Sequence, residues 1–317
     1  MSDSTASTGV PADATSIVFS SYGEPEELRL VELPVPTPGP GQVLLQVRAA
    51  GVNPVDWKIR AGLLQEFLPV NLPHVPGLEA AGVVAAVGQD VSAWSVGDEV
   101  FGAAVGAYAE YALSDADRLA AKPADLTWEA AAGLHSSAET AHRTLNLLKV
   151  SAGETLLVHG AAGSVGGLVV QFAIALGARV VGTASEANHA YLRELGAVPV
   201  SYGEGVFDRI REAAPEGVNA ALDAIGGTVA GSVDLLGGPE RVISIVDPGE
   251  ANSLGVRFTG GGDGEDRTPQ ALAQAIALHT AGTLNLPIRA TFPLAEAAAA
   301  HELSAQGHGR GKIVLLP

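Results

Sequence analysis

The feature that most constrains the fold is a long uncharged interval in the middle of the chain, because residues 155–178 contain no Asp, Glu, Lys or Arg. On length and hydropathy alone, such an interval is long enough to cross a membrane. It carries a cluster of glycines, however, at positions 160, 163, 166 and 167. A buried strand, a tight turn and a buried helix explain this pattern better than a membrane span does, so the interval predicts the core of a globular protein.

The glycine cluster has the spacing of a nucleotide-binding turn. The strand TLLVH ends at His159, a helix is expected from Ser164, and the turn between them follows the pattern Ala161-x-Gly163-x-x-Gly166. Glycines let the backbone approach a pyrophosphate, and the helix N-terminus offers free N–H groups and a partial positive charge. Glycine also serves packing alone at some junctions, but the strand before and the helix after favour a dinucleotide site. The residues expected to contact the cofactor here are Ala162, Gly163, Ser164, Val165 and Gly166.

The end of the second strand bears on the choice between NAD and NADP. NAD sites usually place an Asp or Glu there to bind the ribose 2′-hydroxyl. The strand RVVGT is followed by Ala184 and Ser185, and the nearest acid, Glu186, lies beyond it in the expected next helix. Because a missing carboxylate removes repulsion against a 2′-phosphate, NADP is favoured, although no Lys or Arg directly follows the strand.

The rhythm of the chain predicts two kinds of domain. Apolar strands alternate with helices through residues 126–261, which predicts a parallel sheet covered on both faces. Short alternating strands broken by Pro and Gly predict a β-rich, barrel-like domain over residues 16–125. Residues 262–317 are assigned to this β-rich domain, because the last strand, KIVLL, is expected to return to it. Residues 1–15 predict a disordered tail, and the glycine-rich residues 260–266 predict a loop.

Composition excludes several classes of partner. The 317 residues include 18 Lys and Arg against 35 Asp and Glu, a formal net charge of −17. Such an acidic surface repels phosphate backbones and anionic membranes, so neither nucleic acid nor a membrane is expected as a partner. The chain has no cysteine, which excludes disulfides, thiolate metal ligands and a cysteine nucleophile. It shows no signal-peptide pattern, and we expect a cytoplasmic location.

A series of segments carries the pattern of one family. They read AAGVNPVDWKIRAG, VPGLEAAGVVAAVG, VGDEVFG, GAYAEYA, the glycine turn, LRELGA, ALDAIGG and GRGKIVL. In order and spacing they resemble the zinc-free quinone oxidoreductases of the medium-chain dehydrogenase/reductase superfamily. The resemblance implies an α/β protein, with a Rossmann doubly wound parallel sheet that binds NADP over residues 126–261. It implies a GroES-like β-rich catalytic domain over residues 16–125 and 262–317, and a homodimer formed through the edge strand from Gly255 to Thr259.

The resemblance also bears on metal binding. Metal-dependent members of the superfamily hold zinc with Cys and His. Here Asn53 stands in the region of the first ligand, and Leu78 replaces the His of a Gly-His-Glu motif. The chain has no cysteine and no cysteine-rich lobe after Gly102, so it lacks the ligands that zinc requires. The sequence therefore predicts no metal.

Further cofactor contacts are implied at specific positions. NADPH-dependent relatives have a Ser after the second strand, a Lys in the next helix and a Tyr that ends the third strand. Ser185 and Tyr202 match, whereas the Lys position holds Asn188, with His189 next to it. Residues after the fourth and fifth strands also approach the cofactor in the family, here Ala224, Ile225, Ile245 and Val246. From the other side, the resemblance implies contacts by Asn53, Thr140, Arg310 and Lys312.

The absence of zinc ligands favours one type of reaction. NADPH can pass hydride directly to an acceptor that is already electrophilic, such as a small-molecule quinone or an α,β-unsaturated carbonyl, while the charge moves onto oxygen. Asn53 and Asp56 are the catalytic candidates, although Asn53 before Pro54 also suits a plain turn, and an ion pair with Lys58 is the simpler role for Asp56. Glu79 is expected to be structural. The acceptor pocket is expected to be apolar and lined by Leu63, Leu64, Phe67 and Leu68.

Two other functions stay open on the sequence. One is an enoyl reductase that tailors a polyketide-like intermediate, which the sequence does not separate from a quinone or enone reductase because the acceptor pocket is the variable part. The other is an NADPH-binding protein without catalysis. The intact glycine turn and Asn53 favour an enzyme over this last alternative.

Overall fold

A computed structural model describes residues 9–261, 267–307 and 309–317. In these ranges, no helix is long and apolar enough to cross a membrane. The uncharged interval instead forms a strand, Thr155–His159, and a helix, Ser164–Ala175, joined by the glycine turn. The strand–turn–helix prediction is therefore confirmed.

The strands and helices are numbered in chain order. The strands are β1 (Asp13–Val18), β2 (Arg29–Pro34), β3 (Gln42–Val52), β4 (Glu79–Val87), β5 (Glu99–Ala103), β6 (Tyr111–Asp115), β7 (Leu119–Ala121), β8 (Thr155–His159), β9 (Arg179–Ala184), β10 (Val198–Ser201), β11 (Ala220–Asp223), β12 (Val242–Ser244), β13 (Arg257–Phe258), β14 (Ile288–Pro293) and β15 (Lys312–Leu316). The helices are α1 (Pro54–Arg60), α2 (Trp128–Ala132), α3 (His135–Leu148), α4 (Ser164–Ala175), α5 (His189–Glu194), α6 (Val206–Ala213), α7 (Val229–Leu236), α8 (Pro248–Ser253), α9 (Thr268–Thr280) and α10 (Ala297–Ala305).

Residues 9–136, 288–307 and 312–317 form one compact unit, the β-rich lobe. Its main sheet has the order β14-β15-β3-β4-β5-β7, with β6 also paired to β3, and β1 and β2 form a separate antiparallel pair. Strand β15 runs antiparallel to β3, so the last strand returns to this lobe as predicted. Because β3 is paired by β15, β4 and β6, most of its side chains are buried, and Val47 and Val52 share a core with Phe19 and Tyr108.

Residues 137–261, 267–287 and 309–311 form the second unit, the parallel-sheet lobe. Its six strands lie in the order β10-β9-β8-β11-β12-β13, and every pair is parallel. The central strands β8 and β11 are buried at every residue, as expected of a parallel sheet with helices on both faces. This is the doubly wound Rossmann sheet that the sequence predicts.

The order of the strands reverses between β8 and β11. Strands β9 and β10 lie on one side of β8, and β11, β12 and β13 lie on the other. Open α/β sheets bind ligands beyond the carboxyl ends of their strands at such a point. The glycine turn follows β8 and the loop from Ala224 follows β11, so the fold brings both to this position.

The structure corrects several boundaries. Strand β1 begins at Asp13 and pairs with β2, so the tail predicted over residues 1–15 is wrong at its end; residues 1–8 lie outside the described residues. The division between the lobes falls after Ser136 and Pro287 rather than after residues 125 and 261. The predicted strand from Gly255 to Thr259 shortens to β13, and residues 262–266 of the predicted loop lie outside the described ranges.

Helix α9 explains the larger of these differences. His142 on α3 and Gln274 on α9 form a side-chain hydrogen bond of 3.0 Å, which ties α9 to the parallel-sheet lobe. An Ala-rich helix carries no pattern that reveals which lobe it packs against, so the sequence did not separate α9 from the β-rich domain.

Candidate active site

Two of the glycines in the turn after β8 are required by close packing. Gly160 has a φ of +80°, and a Cβ there would lie 2.5 Å from a methyl carbon of Ile225. A Cβ on Gly166 would lie 2.2 Å from the carbonyl oxygen of Gly160. At Gly163 the nearest such atom is 3.4 Å away, which is an ordinary van der Waals contact, so packing does not require glycine there. The turn therefore combines two glycines that packing requires with one that it does not.

The first backbone amides of α4 are available to a ligand. The N-cap residue is Gly163, which has no side chain with which to cap the helix. The amides of Ser164, Val165 and Gly166 belong to the first turn, where N–H groups have no partner within the helix. Together with the helix dipole, they can hold a pyrophosphate. The structure thus places Ala162 to Gly166 between the end of β8 and the first turn of α4, and their contact with a dinucleotide stays a prediction.

The ends of β9 and β10 bring together the residues predicted to face the 2′-phosphate. Ser201 pairs with Ala184, so Ser185 and Tyr202 follow neighbouring parallel strands. The Asn188 Nδ2 group donates a hydrogen bond of 3.0 Å to Ser185 Oγ. Tyr202 is half exposed. Ser185 and Asn188 are hydrogen-bonded to each other, and Tyr202 follows the neighbouring strand; Asn188 brings no charge to this group.

Sequence reasoning missed one basic residue at the end of β10, Arg209, and gave no role to His189 on α5. The Arg209 guanidinium donates to the carbonyl oxygens of Ser201 and Tyr202, and also to those of the two residues that follow. His189 Nε2 lies 3.4 Å from Ser201 Oγ. Arg209 therefore holds the loop that carries Tyr202 and supplies positive charge near it. Its position early in the helix after the third strand was the available signal.

A buried carboxylate organises the loops after β11 and β12. Asp223 is fully buried; its Oδ1 accepts hydrogen bonds from the amides of Ile225 and Gly226 and from Thr228 Oγ1 at 2.8–3.2 Å, and its Oδ2 accepts from Ser244 Oγ at 2.9 Å. The two loops contain the predicted cofactor residues Ala224, Ile225, Ile245 and Val246. Asp223 is thus a positioning residue, signalled in the sequence by an acid at the end of an apolar strand.

Arg310 and Thr140 also lie in the parallel-sheet lobe. The amide of Gly311 donates to the carbonyl of Ala162 at 3.4 Å, which places the segment containing Arg310 beside the glycine turn. The Arg310 guanidinium lies 5.2 Å from the centre of the Tyr191 ring. Thr140 Oγ1 accepts a hydrogen bond from Arg143.

In the β-rich lobe, Asn53 and Asp56 begin helix α1. Asn53 is the N-cap residue of α1, and its backbone N–H donates to Asp56 Oδ2 at 2.8 Å. The same oxygen accepts from the Tyr108 hydroxyl at 3.0 Å, which lies 3.2 Å from His301 Nε2. Burial raises the pKa of Asp56 to about 7, although the hydrogen bonds from Asn53 and Tyr108 lower it. Burial also lowers the pKa of His301 to about 3.

The prediction of an ion pair between Asp56 and Lys58 is wrong. Residues two apart on a helix do not face each other, and Asp56 points into the lobe while the Lys58 ammonium lies 5.8 Å from the centre of the Trp57 ring. The carboxyl of Asp56 instead closes the first turn of α1 and meets Tyr108. It acts on Asn53 through the backbone.

The Asn53 side chain belongs to a buried polar network. Its Oδ1 accepts from Lys312 Nζ at 2.6 Å, and its Nδ2 donates to Glu79 Oε1 at 2.8 Å and to Ser136 Oγ at 3.3 Å. Lys312 and Glu79 form an ion pair of 2.5 Å, with exposures of only 2% and 0%. Burial by itself would raise the pKa of Glu79, but the Lys312 ammonium and His135 outweigh it, so this pKa is lowered. Glu79 is structural as predicted, and its partner is Lys312.

Two family models match this chain, one mostly in each lobe. The family model of the alcohol dehydrogenase GroES-like domain matches residues 39–124, and that of the zinc-binding dehydrogenases matches residues 195–315. A quinone oxidoreductase of Lama guanicoe is 34% identical over 323 residues, which cover 95% of this chain and 97% of the relative. The chain belongs to the quinone oxidoreductase branch of the medium-chain dehydrogenase/reductase superfamily. It is an oxidoreductase with the GroES-like and Rossmann-type domains of that family.

Two further members show the range of the family. A 2-haloacrylate reductase of a Burkholderia species is 34% identical over 329 residues, which cover 95% of this chain and 98% of the relative. A mycobacterial protein, solved in complex with NADPH, is 33% identical, has a TM-score of 0.82, and matches 96% of this chain and 100% of its own. Both similarities therefore extend over almost all of this chain.

Within the described part of this family member, no three His, Asp or Glu side chains are grouped so that they could hold a metal ion. The family resemblance puts Asn53 in the region of the first zinc ligand and Leu78 at the His of the Gly-His-Glu motif. The Asn53 carboxamide is hydrogen-bonded in the network above, and Leu78 is exposed. Neither side chain is a zinc ligand.

The residues predicted to line the acceptor pocket lie in the segment after α1. Leu63, Phe67 and Leu68 are 62%, 75% and 49% exposed, and Leu64 is partly buried. Leu78 and Val105 of the same lobe are also exposed, at 42% and 71%. The β-rich lobe of this quinone oxidoreductase relative therefore presents an accessible set of apolar side chains.

Proposed function

We propose that this protein transfers hydride from NADPH to a quinone or an α,β-unsaturated carbonyl without using a metal. The observation that carries the proposal is the open start of α4 after Gly163, combined with a strand β9 that is followed by Ser185 rather than by a carboxylate. The first feature suits a dinucleotide, and the second suits its 2′-phosphate.

The side chains present fit NADPH. The amides of Ser164 to Gly166 would bind the pyrophosphate, and Ser185, Asn188 and Tyr202 would surround the 2′-phosphate, with His189 and Arg209 beside them. The loops held by Asp223 would contact the cofactor through Ala224, Ile225, Ile245 and Val246. When bound, NADPH supplies the hydride. The mycobacterial relative that was solved with NADPH supports this assignment.

For the other contacts to the cofactor, we propose the residues that the family resemblance implies. Asn53, Thr140 and Arg310 would bind the cofactor, whereas Lys312 would act through its bond to Asn53, since its ammonium is buried against Glu79. The other catalytic candidate, Asp56, would position Asn53 through the backbone amide.

An electrophilic acceptor fits the side chains that the β-rich lobe has in place of metal ligands. The side chains at the ligand positions of metal-dependent relatives are Asn53 and Leu78, and the chain has no cysteine, so an acceptor that needs no Lewis acid is favoured. The names of the relatives agree, because a quinone and a 2-haloacrylate are both activated toward hydride. Leu63, Leu64 and Phe67 would contact an apolar acceptor.

Titration of the protein with NADPH and with NADH, followed by nicotinamide fluorescence, tests the cofactor. Addition of 1,4-benzoquinone, 9,10-phenanthrenequinone or a simple enone to the preferred complex then tests the acceptor. We expect tight NADPH binding and oxidation by at least one of these acceptors. Preference for NADH would contradict the 2′-phosphate assignment. Tight NADPH binding without oxidation would contradict the reductase assignment, and absence of binding would contradict the whole proposal.

A further inference from the structure

His159, the last residue of β8, is a buried imidazole with a polar partner at each ring nitrogen. It is 1% exposed, and its Nδ1 lies 3.3 Å from Thr183 Oγ1 on the neighbouring strand β9. Its Nε2 lies 3.1 Å from Ser232 Oγ on α7. The Phe207 ring packs at a steep angle against the imidazole, with the ring centres 5.8 Å apart. All these residues belong to the parallel-sheet lobe, so the imidazole is held within that one unit.

The hydroxyl groups around the imidazole determine which of its nitrogens carries the proton. The Ser232 hydroxyl donates its only proton to the carbonyl oxygen of Thr228 at 2.8 Å, so its oxygen is left to accept the Nε2–H of His159. A neutral imidazole has one N–H, which leaves Nδ1 to accept from the Thr183 hydroxyl. Burial keeps the ring neutral, because it lowers the pKa of His159 to about 4, although Asp223 opposes this shift.

On one side of the imidazole, the hydrogen bonds lead to the glycine turn. The Thr183 hydroxyl accepts the backbone N–H of Gly160 at 3.3 Å, while its own proton is directed at His159. The next amide of the turn, that of Ala161, donates to the carbonyl oxygen of Thr183 at 3.1 Å. Thr183 therefore holds the first two amides after β8, and His159 fixes the direction of the Thr183 hydroxyl.

On the other side, the hydrogen bonds lead to the loop after β11. Ser232 is bonded to the carbonyl oxygen of Thr228, whose Oγ1 donates to Asp223 Oδ1 at 2.8 Å. The same oxygen of Asp223 accepts from the backbone amides of Ile225 and Gly226. One continuous series of hydrogen bonds therefore runs beneath both loops, from the glycine turn through His159 to the loop after β11.

Both segments carry residues that we propose as cofactor contacts, and they also touch directly, because a methyl group of Ile225 fills the space beside Gly160. We infer that His159, as a neutral imidazole with its proton on Nε2, is a positioning residue that couples the glycine turn to the loop after β11. The inference rests on the proposed function, because it takes NADPH as the ligand. A break on either side of the imidazole should therefore uncouple the two loops and weaken NADPH binding to the same extent.

Nitrogen NMR of protein labelled with 15N in histidine tests the tautomer, because a protonated ring nitrogen and a bare one have different chemical shifts. The signals of His159 are those that disappear in His159→Gln. At pH 7 we expect a proton on Nε2 and none on Nδ1. A proton on Nδ1, with or without one on Nε2, would overturn the inference.

Two substitutions break the hydrogen bonds on either side of the imidazole and leave His159 itself in place. Thr183→Val removes the hydroxyl between Gly160 and the ring but keeps the branched shape, and Ser232→Ala removes the hydroxyl on the other side. Each is expected to weaken NADPH binding about fivefold, the effect of one net hydrogen bond. Because both act through His159, the double variant is also expected to bind about fivefold more weakly than the wild type, rather than about twenty-five-fold.

Asn219→Ala is the matched control. Asn219 Oδ1 accepts the backbone N–H of Thr155 at 2.7 Å, which joins β8 to the residue before β11 at the opposite ends of the strands. This variant is expected to reduce the free energy of unfolding and to leave NADPH binding unchanged. A merely structural role of His159 would make Thr183→Val and Ser232→Ala behave in the same way.

The dissociation constants are measured by nicotinamide fluorescence, at a temperature at which circular dichroism shows every variant folded. Unchanged NADPH binding in Thr183→Val and Ser232→Ala, or additive effects in the double variant, would overturn the inference. The proposed function would then stand, because the wild type still binds NADPH. A wild-type protein that does not bind NADPH would overturn the proposed function, and the inference with it.

Discussion

Asp56 is a carboxyl group that burial holds partly protonated at neutral pH, with a pKa of about 7 instead of 3.8. Between these two values the folded state keeps a proton that the unfolded chain has lost. The stability that Asp56 contributes is therefore present at low pH and decreases as the pH rises toward 7, after which it stays constant.

The Asp56→Asn variant mimics the protonated carboxyl, so its stability relative to the wild type is expected to be greater at pH 8 than at pH 5. The upper limit of this change is roughly 3 kcal/mol, from about two pH units between pH 5 and the pKa at 1.36 kcal/mol each. Urea unfolding of both proteins at the two pH values measures it. Because His159 lies in the parallel-sheet lobe and does not contact Asp56, its pH dependence cancels in this comparison. An equal difference at pH 5 and pH 8 would show that Asp56 is not protonated in the folded protein.

Gly51 is required by a close approach rather than by its backbone angles. A Cβ at this position would lie 2.4 Å from Glu79 Oε1 and 2.6 Å from the carbonyl oxygen of Ala132. Gly51→Ala is therefore expected to reduce the free energy of unfolding by about 1–3 kcal/mol, the usual effect of overpacking. Gly249→Ala is the matched control, because its new Cβ would meet its nearest atom at 3.5 Å. Equal effects of the two substitutions would contradict this role of Gly51.

At the scale of elements, we propose that the ends of β9 and β10 set the cofactor preference. The position that holds Lys in NADPH-dependent relatives is Asn188, which hydrogen-bonds to Ser185. Asn188→Lys adds a charge at this cluster and is expected to tighten NADPH binding about fivefold, through one charge-assisted hydrogen bond, without changing NADH binding. Fluorescence titration with both nucleotides measures the effect. Asn252→Lys, on exposed α8, adds the same charge elsewhere and is expected to leave both unchanged.

A different result at position 188 would be informative about the neighbouring elements. Tighter binding of both NADPH and NADH would mean that the added lysine meets the pyrophosphate. No change for either would mean that Arg209 on α6 already supplies all the positive charge that the 2′-phosphate can use.

At the scale of the whole molecule, β13 leaves one edge of the parallel sheet without a further strand in the described chain. It pairs only with β12, and its Phe258 is 36% exposed. An unprotected edge favours pairing with another chain, and the family resemblance implies a homodimer through this strand. We propose the same assembly for this protein.

Phe258→Asp places like charges across the twofold axis of such a dimer and is expected to shift the protein toward the monomer. Sedimentation velocity measures the distribution. Val96→Asp, at an exposed apolar residue of the β-rich lobe, is the control and is expected to leave the dimer unchanged. A wild-type protein that sediments as a monomer would contradict the proposed assembly.

The sequence by itself determined the elements whose signals are local. Apolar strands that are buried on both faces, a turn that needs glycine, and a helix that begins without a side-chain cap are encoded within a few consecutive residues, so the Rossmann sheet and its glycine turn were predictable. The return of β15 to the β-rich lobe was predicted from the organisation of the chain, and Asn53 was a candidate through the family resemblance. The boundaries of the lobes were not predictable, because the apolar pattern of helix α9 does not indicate which lobe the helix packs against.

Only the tertiary structure decided what the polar residues do. Lys312 lies 259 residues from Asn53 in the chain, yet its ammonium fixes the direction of the Asn53 carboxamide. Asp56 could pair with Lys58 on sequence, but the lobe buries it against Tyr108. Arg209 reaches the loop of Tyr202 only because α6 folds back over the end of β10. Burial changes the free energy of a charge by more than sequence neighbours do, and burial is a property of the fold, so these roles could not be predicted from the chain alone.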